Sequence, residues 1–301
     1  MVLDQEPGST LDPITSNEDF YVYSCCGGAD PDPATWSLEI LDRDVSMGRI
    51  DVAWLADHEA LEFEHTLQCI GSGPRNLAIS NAIFGGMRLT DVFAELGVTV
   101  DPSIVQLYLV GEDDYDAGMP AADIEKAWLV WEMNGVPLPV EHGFPARLLI
   151  PGRYGVKNVK WVRTLALHSE AVVDYWTERS WDADAPYKVN GFILAPVFGA
   201  EAAVGSSVAF VGVAYAGEDP VTSVEITFDG FQTTSPCQLD YAPGANRWVQ
   251  WSFEWTPQEA GTVTAQLRVR TAGGAVSSEN PNGTEPLAGY DGGMAVDIVV
   301  G

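Results

Sequence analysis

Residues 66–73 read TLQCIGSG and hold the cysteine on which the interpretation of the whole chain depends. The run Glu62–Ile70 alternates in side-chain type, which predicts a β-strand that ends near Cys69. Glycines 71 and 73 allow close backbone approach behind that strand, so a Cys69 thiolate can face an open site and suit a soft, redox-active metal. A buried core cysteine beside a turn is the other interpretation of the same residues.

A second stretch, residues 132–147, reads EMNGVPLPVEHGFPAR. Its Asn-Gly pair at 134–135 predicts a tight hairpin turn. His142 and Arg147 are donors for an anionic or heteroaromatic ligand, since a guanidinium forks onto phosphate. A solvated hairpin loop that carries a lone histidine is the alternative.

A third stretch, residues 151–161, reads PGRYGVKNVKW and places Arg153, Lys157 and Lys160 within eight residues. The chain has 15 Lys+Arg against 43 Asp+Glu and a formal charge of −28. A local group of cations in so acidic a protein therefore indicates an anionic ligand.

Composition excludes several classes of protein. A hydrophobic fraction of 46% supplies a real core despite the charge. Too few cations are present to release counterions from a phosphate backbone, so nucleic acid is not an expected partner. No apolar run is long enough to cross a bilayer, so no transmembrane segment is expected. The acidity suits either a protein that works at high salt or a cell-surface or exported protein.

The pattern along the chain changes near residue 188. Residues 1–19 are acidic and polar, which predicts a loose amino-terminal arm. Residues 20–188 mix strand patterns, the first at Phe20–Tyr23, with a short helix over Leu89–Leu96, and we predict an α+β domain. We expect Thr90 or Asp91 to cap that helix and Gly97 to end it. Residues 189–301 contain five short alternating segments and no helix signal, which predicts an all-β, immunoglobulin-like sandwich.

The three stretches occur in the order and spacing found in the molybdopterin domain of the sulfite oxidase family. The sequence resembles that family, in its haem-free bacterial or archaeal type, from about Phe20 to the carboxyl end. Residues 32–40 (DPATWSLEI) and 84–92 (FGGMRLTDV) also follow the family's order. The resemblance implies a mixed sulfite-oxidase-type molybdopterin domain, a sandwich domain that forms a homodimer through residues 189–301, and a cofactor of molybdenum with a pyranopterin.

The resemblance also implies roles for single residues. Cys69 stands where the family's cysteine binds molybdenum. His142 and Arg147 stand where the family binds the pyranopterin and its phosphate. The remaining predicted cofactor-binding residues are Lys160, Lys157 and Arg153 of the anchoring segment, and Ser24 and Cys25 of the loop that follows Tyr23.

The chain departs from the family around the reacting centre, where we expect Cys69, Tyr23, Trp131 and Arg75. Tyr23 replaces the family's substrate-pocket arginine, and Trp131 replaces its pocket tyrosine. A second arginine of the family is replaced here by Pro74, and Arg75 is the next residue. Phe84 replaces the pocket tryptophan, so the pocket is expected to be too apolar for a sulfite dianion.

Two cysteines and two histidines have less definite roles. The pair Cys25–Cys26 is either a thiol group near the metal or two ordinary buried cysteines. His58 and His65 show no ligand spacing and receive no role.

We therefore expect a molybdenum oxidoreductase that performs two-electron oxygen-atom transfer on a small substrate and exchanges electrons with a separate partner such as a cytochrome. The alternatives are a true sulfite oxidase or dehydrogenase, and a non-catalytic surface or binding protein on a retained scaffold. The family's bacterial members are often exported, so export is favoured over a cytoplasmic location, although the first residues show no signal peptide.

Overall fold

The computed structural model describes residues 12–241, 243–279 and 287–301. Within these residues the chain forms two compact units. We call residues 15–70 and 82–186 the first unit, and the described parts of 1–14, 71–81 and 187–301 the second unit. The predicted arm lies mostly outside the described residues. Residues 71–81, which the sequence pattern assigned to the 20–188 domain, belong to the second unit because Leu77 and Ile79 pack with its Phe192.

The first unit is built from two curved sheets with two helices. Its elements are β1 (Ser37–Asp42), β2 (Val45–Asp51), α1 (Val52–Ala56), β3 (Leu61–Gln68), β4 (Ile79–Arg88), α2 (Leu89–Leu96), β5 (Gln106–Gly111), β6 (Asp116–Pro120), β7 (Trp128–Met133), β8 (Val136–Pro137), β9 (Arg147–Leu149) and β10 (Val162–His168). One sheet has the order β2-β1-β10-β5-β6, with β1 and β10 parallel. The other has the order β3-β4-β7-β8, and β9 also pairs with β7. Strand β4 begins in the second unit and continues into the first.

Local sequence explains helix α2 only in part. Leu89, Val92 and Phe93 are buried on one face, and Gly97 ends the helix with a left-handed φ of 68°. The predicted helix is thus confirmed. The predicted cap is wrong, because the N-cap residue is Arg88 and its side chain makes no capping hydrogen bond.

The segment Phe20–Tyr23 is irregular, so the predicted strand there is wrong. The ring of Phe20 is buried and meets the rings of Phe84 and His142 edge-on, at centroid distances of 6.1 and 5.3 Å. This anchoring by one aromatic side chain takes the place of a strand ladder.

The predicted hairpin turn is confirmed. Asn134 and Gly135 have φ values of 52° and 75°, and the turn joins β7 to β8 through the pair Met133 and Val136.

The second unit is an all-β sandwich. Its strands are β11 (Asn190–Ala195), β12 (Ala200–Ala202), β13 (Val208–Tyr215), β14 (Val221–Thr227), β15 (Ser235–Pro236), β16 (Gln238–Leu239), β17 (Val249–Trp255), β18 (Gly261–Thr271), β19 (Gly292–Gly293) and β20 (Ala295–Val300). They form two sheets, β16-β17-β13-β11-β19 and β12-β20-β18-β14-β15. Phe210 and Trp251 of one sheet share a core with Ile226 and Leu267 of the other. An α+β unit followed by a β-sandwich is the predicted fold class.

No helix within the described residues is long and apolar enough to span a membrane.

Candidate functional site

Cys69 lies at the end of strand β3. The strand ends at Gln68, and Cys69 follows it with a half-buried side chain. A Cβ atom added at Gly155 would lie 2.9 Å from Tyr21 Oη, 3.3 Å from the Gln68 carbonyl oxygen and 3.9 Å from Cys69 Cα. The backbone at Gly155 thus passes close to Gln68 and Cys69, so the third sequence stretch packs directly against the end of β3.

A second close approach assembles three of the predicted cofactor residues. His142 ends a turn of 3₁₀-helix, and Gly143 then takes a φ of 115° that favours glycine. A Cβ atom at Gly143 would lie 3.1 Å from Arg147 Cβ and 3.2 Å from Lys160 Cβ. We call His142, Arg147 and Lys160 the cation cluster.

Backbone oxygens orient Arg147 and Lys160 of this cluster. The guanidinium of Arg147 is buried and donates to the carbonyl oxygens of His142 at 2.9 Å and Asn158 at 3.3 Å. Lys160 Nζ donates to the carbonyl oxygen of Glu141 at 2.9 Å and lies 4.2 Å from the centre of the Trp161 ring. These contacts fix the directions of the two side chains.

Burial and the charge of Arg147 lower the pKa values of Lys160 and His142. Burial, followed by the charge of Arg147, lowers the pKa of Lys160 to about 8. Burial also lowers the pKa of His142, whose Nε2 lies 2.8 Å from the carbonyl oxygen of Asn17. A negative ligand would relieve this repulsion and restore the protonated lysine.

Two other predicted cofactor cations have carboxylate partners within the protein. Lys157 Nζ lies 2.5 Å from Asp174 Oδ2, and both side chains are buried. Arg153 forks onto Asp123 at 2.8 and 3.0 Å. We therefore leave both out of the cation cluster, although the sequence pattern grouped them with Lys160.

The loop that follows Phe20 holds three more predicted residues. Tyr23 is 60% exposed. Ser24 Oγ donates to Asp113 at 3.3 Å. The Sγ atoms of Cys25 and Cys26 lie 2.8 Å apart, and burial together with Cys26 raises the pKa of Cys25 to about 12. Cys25 is therefore a protonated thiol at neutral pH.

Trp131 and Arg75 are the remaining residues predicted for the reacting centre. Trp131 packs edge-on against Trp54, at 6.4 Å, in a different apolar cluster from Phe84. It also lines a cavity of about 230 Å³ with His58 and Phe144. Arg75 is exposed at the tip of the Gly73–Asn76 turn, in the second unit.

His65, to which the sequence analysis assigned no role, is a buried polar residue of the first unit. His65 lies in β3, its side chain has no exposed surface, and neither ring nitrogen has a hydrogen-bond partner in the described part of the chain. Burial, with Arg147 as the second cause, lowers the pKa of His65 to about 3. No pattern in the sequence distinguishes such a histidine from an ordinary strand residue.

Comparison with known proteins gives the family. Residues 27–176 match the oxidoreductase molybdopterin binding domain. Mitochondrial sulfite oxidase of Mus musculus is 30% identical over 214 residues, which cover 61% of this chain and 39% of that protein. Nitrate reductase [NAD(P)H] of Hordeum vulgare is 27% identical over 291 residues, or 74% of this chain and 32% of that protein. The chain thus spans less than half of either relative's length.

A solved structure agrees at the level of the fold. The sulfane dehydrogenase SoxCD of Paracoccus pantotrophus superimposes with a TM-score of 0.79 at 18% identity, over 95% of this chain and 81% of that chain. The chain belongs to the sulfite oxidase family of molybdopterin-dependent oxidoreductases, and its cofactor is molybdenum with a pyranopterin.

The residues of the first unit fit such a cofactor. Cys69 is a soft donor, and the cation cluster suits a phosphate.

Proposed function

We propose that the chain performs two-electron oxygen-atom transfer on a small, neutral substrate and exchanges its electrons with a separate redox partner. The cation cluster is the observation that carries this proposal. Two cations side by side, one of them buried, repel each other and lose solvation, and an anionic ligand such as a phosphate would offset that cost. In a chain of charge −28, they support a specific phosphate site.

Each residue of the site has a distinct proposed role. Cys69 would hold the metal through its thiolate. Arg147 and Lys160 would hold the phosphate, and His142, which the carbonyl of Asn17 orients, would contact the pyranopterin. When bound, the cofactor supplies the two-electron redox chemistry and the oxygen-atom transfer, while the protein supplies position, charge and exclusion of water.

We base the proposal of a neutral substrate on the replacement of the family's pocket cation in this sequence. Tyr23 stands in place of the family's pocket arginine, and Phe84 is buried among apolar side chains. A neutral sulfur or nitrogen compound, oxidised or reduced at that atom, needs no such cation.

An assay separates this substrate class from sulfite. Sulfite with ferricyanide as electron acceptor is compared with dialkyl sulfoxides and amine N-oxides, with reduced viologen as donor. We expect turnover in the second assay. A sulfite turnover of ~10 s⁻¹, which is typical of enzymes, would overturn the pocket argument and favour a true sulfite oxidase.

The proposed redox partner is a basic protein such as a cytochrome. The net charge of −28 would attract it, and the rate of electron exchange would fall as salt increases. Among the described residues, no group of three or more His, Cys, Asp or Glu side chains is placed to hold a further metal ion.

The test of the function itself is metal content. Wild-type protein and Cys69→Ser are produced in a host that makes the cofactor, and molybdenum and phosphorus are measured per chain. We expect about one molybdenum per wild-type chain and a thiolate-to-metal absorption that the mutant lacks. No metal in the wild type would favour the non-catalytic scaffold instead.

A further inference from the structure

Two adjacent cysteines, Cys25 and Cys26, bring their thiols together on one side of the chain, and we call them the thiol pair. Their Sγ atoms lie 2.8 Å apart, and both side chains are half-buried. Consecutive side chains of an extended chain point to opposite sides, so adjacent thiols do not ordinarily meet. Here the chain bends at these two residues, and the bend turns both thiols the same way. The contact is thus a property of the local fold and not of adjacency alone.

Contacts on both sides of the thiol pair hold the bend in place. Gly27 and Gly28 follow it with φ values of 99° and 80°, in the left-handed region that favours glycine. A Cβ atom at Gly28 would lie 3.5 Å from the ring of Trp161. On the other side of the pair, Ser24 Oγ donates to Asp113 at 3.3 Å. The first unit therefore fixes the bend at its two ends.

The thiol pair lies beside the segment that carries part of the cation cluster. Trp161, against which the bend packs, has Lys160 Nζ 4.2 Å from the centre of its ring. Burial, followed by the charge of Cys25, raises the pKa of Tyr115, whose hydroxyl donates to the carbonyl oxygen of Val156 in the same segment. The thiol pair is therefore next to the cation cluster without being a part of it.

The two thiols differ in how they can react. Burial, followed by the hydrogen bond and the charge of Cys26, raises the pKa of Cys25 to about 12. Cys25 therefore keeps its proton at neutral pH, which leaves Cys26 as the thiol that attacks an external sulfur atom. Once Cys26 is in a mixed disulfide, it no longer carries a charge that opposes ionisation of Cys25. The first reaction thus prepares Cys25 for the second.

We propose that the thiol pair is a reversible redox modification site, which a low-molecular-weight disulfide such as oxidised glutathione converts to a Cys25–Cys26 disulfide. In the first step Cys26 Sγ attacks one sulfur atom of the external disulfide, whose S–S bond breaks and releases one thiol. In the second step Cys25 loses its proton to solvent and attacks Cys26 Sγ, and the second thiol leaves. The protein gives up two electrons and two protons, which the two released thiols take up.

The short connection between the two cysteines makes the bond easy to reduce. Neighbouring Cα atoms are about 3.8 Å apart across a trans peptide, less than the ~4.4–6.8 Å of ordinary disulfides, so ring closure strains the bond. A strained disulfide has a more oxidising potential, and small thiols reduce it readily. The site is therefore suited to repeated oxidation and reduction and not to a permanent cross-link. This inference does not depend on the proposed reaction of the protein.

The main experiment counts thiols in the full chain as isolated, which has 4 cysteines. Wild type, Cys25→Ser and the control Cys237→Ser are incubated with excess oxidised glutathione at neutral pH, then denatured, alkylated and analysed by mass spectrometry. In wild type we expect most chains to lose two alkylatable thiols, both from the fragment with residues 25 and 26, and dithiothreitol to restore them. Cys25→Ser should stop at a mixed disulfide of Cys26 with glutathione. Cys237→Ser should form the same bond as wild type.

A trivalent arsenical tests the thiol pair in wild type, so the inference stays testable if Cys25→Ser fails to fold. Phenylarsine oxide condenses with two neighbouring thiols and releases one water molecule, with no change of oxidation state. We expect it to bind the fragment with residues 25 and 26 and to protect that fragment from oxidised glutathione. An arsenical that binds only elsewhere would overturn the inference. So would a wild type that keeps all its thiols, or a disulfide that joins Cys69 to either member of the pair.

Discussion

Replacement of Lys157 by Met tests whether this lysine is a structural cation or a cofactor anchor. Lys157 Nζ lies 2.5 Å from Asp174 Oδ2, and the two side chains are 1% and 3% exposed. At an effective dielectric constant of ~20, two charges at that distance attract by about 7 kcal/mol. Desolvation offsets much of this, and breaking a buried pair by removal of one partner costs about 3–5 kcal/mol.

The remaining contacts of Asp174 favour the lower end of that range. The backbone N–H groups of Gly118 and Thr177 each donate to the carboxylate at 2.8 Å, so the carboxylate keeps two partners in Lys157→Met. We expect the free energy of unfolding to fall by about 3 kcal/mol, which lowers the Tm by about 6–12 °C in a unit of this size. Urea titration and calorimetry of cofactor-free protein measure both quantities.

The pH dependence of this effect follows from the Asp174 carboxyl. Burial raises its pKa, but hydrogen bonds from Lys157 and Thr177 outweigh burial and lower it below the usual range. The wild type therefore has this stabilisation at any pH above the pKa of the carboxyl in the unfolded chain. It loses the stabilisation as the pH falls through the lower pKa that the carboxyl has in the folded protein. Without Lys157, burial prevails and the pKa of the Asp174 carboxyl rises. The mutant then regains stability when this carboxyl is protonated, so the difference in stability between the two proteins shrinks toward pH 4.

Two comparisons complete the test. Lys157→Met/Asp174→Leu should regain most of the lost stability, because no unpaired charge remains. Arg147→Met should impair cofactor retention far more than Lys157→Met does. A loss below about 1 kcal/mol in Lys157→Met would refute the reasoning, because surface pairs have that value.

Three further predictions concern the cation cluster and the thiols. Gly143→Ala should reduce the molybdenum content severalfold, since its Cβ would crowd Arg147 and Lys160. The control Gly135→Ala also has a positive φ but has open space around its Cβ, so it should load normally. Elemental analysis measures both variants. The affinity for the cofactor should weaken as the pH rises above about 8, where Lys160 of the cofactor-free protein loses its proton, and Lys160→Gln should abolish that dependence in pterin-binding assays. Cofactor-free protein should become more stable over the same rise, because its folded lysine binds protons less readily than the unfolded one. Cys25 and Cys237, whose pKa values are raised to about 12, should resist alkylation at pH 8 in native protein and react after denaturation, as followed by mass spectrometry.

Much of the fold was predictable because it depends on local patterns. Period-two alternation located the long strands of the sandwich, and Asn134–Gly135 located a hairpin, since both signals depend on residues next to each other in sequence. The helix at Leu89–Leu96 was equally visible. Its cap was not, because Arg88 occupies the N-cap without a capping side chain. Phe20–Tyr23 has the composition of a strand but is held by tertiary contacts of one ring.

The candidate site was likewise predictable only in part. The sequence by itself determined the residue types that suit the cofactor: one cysteine at a strand end, a histidine and an arginine after a hairpin, and a local group of cations in an acidic chain. Only the tertiary structure decided how these cations are grouped. It paired Lys157 with Asp174 and Arg153 with Asp123, and it packed Lys160 beside Arg147 at Gly143. It also buried His65 without a partner and placed Trp131 in a separate core. Such outcomes depend on contacts between residues far apart in the chain, where burial sets the energy of each charge, and spacing along the sequence does not encode that burial.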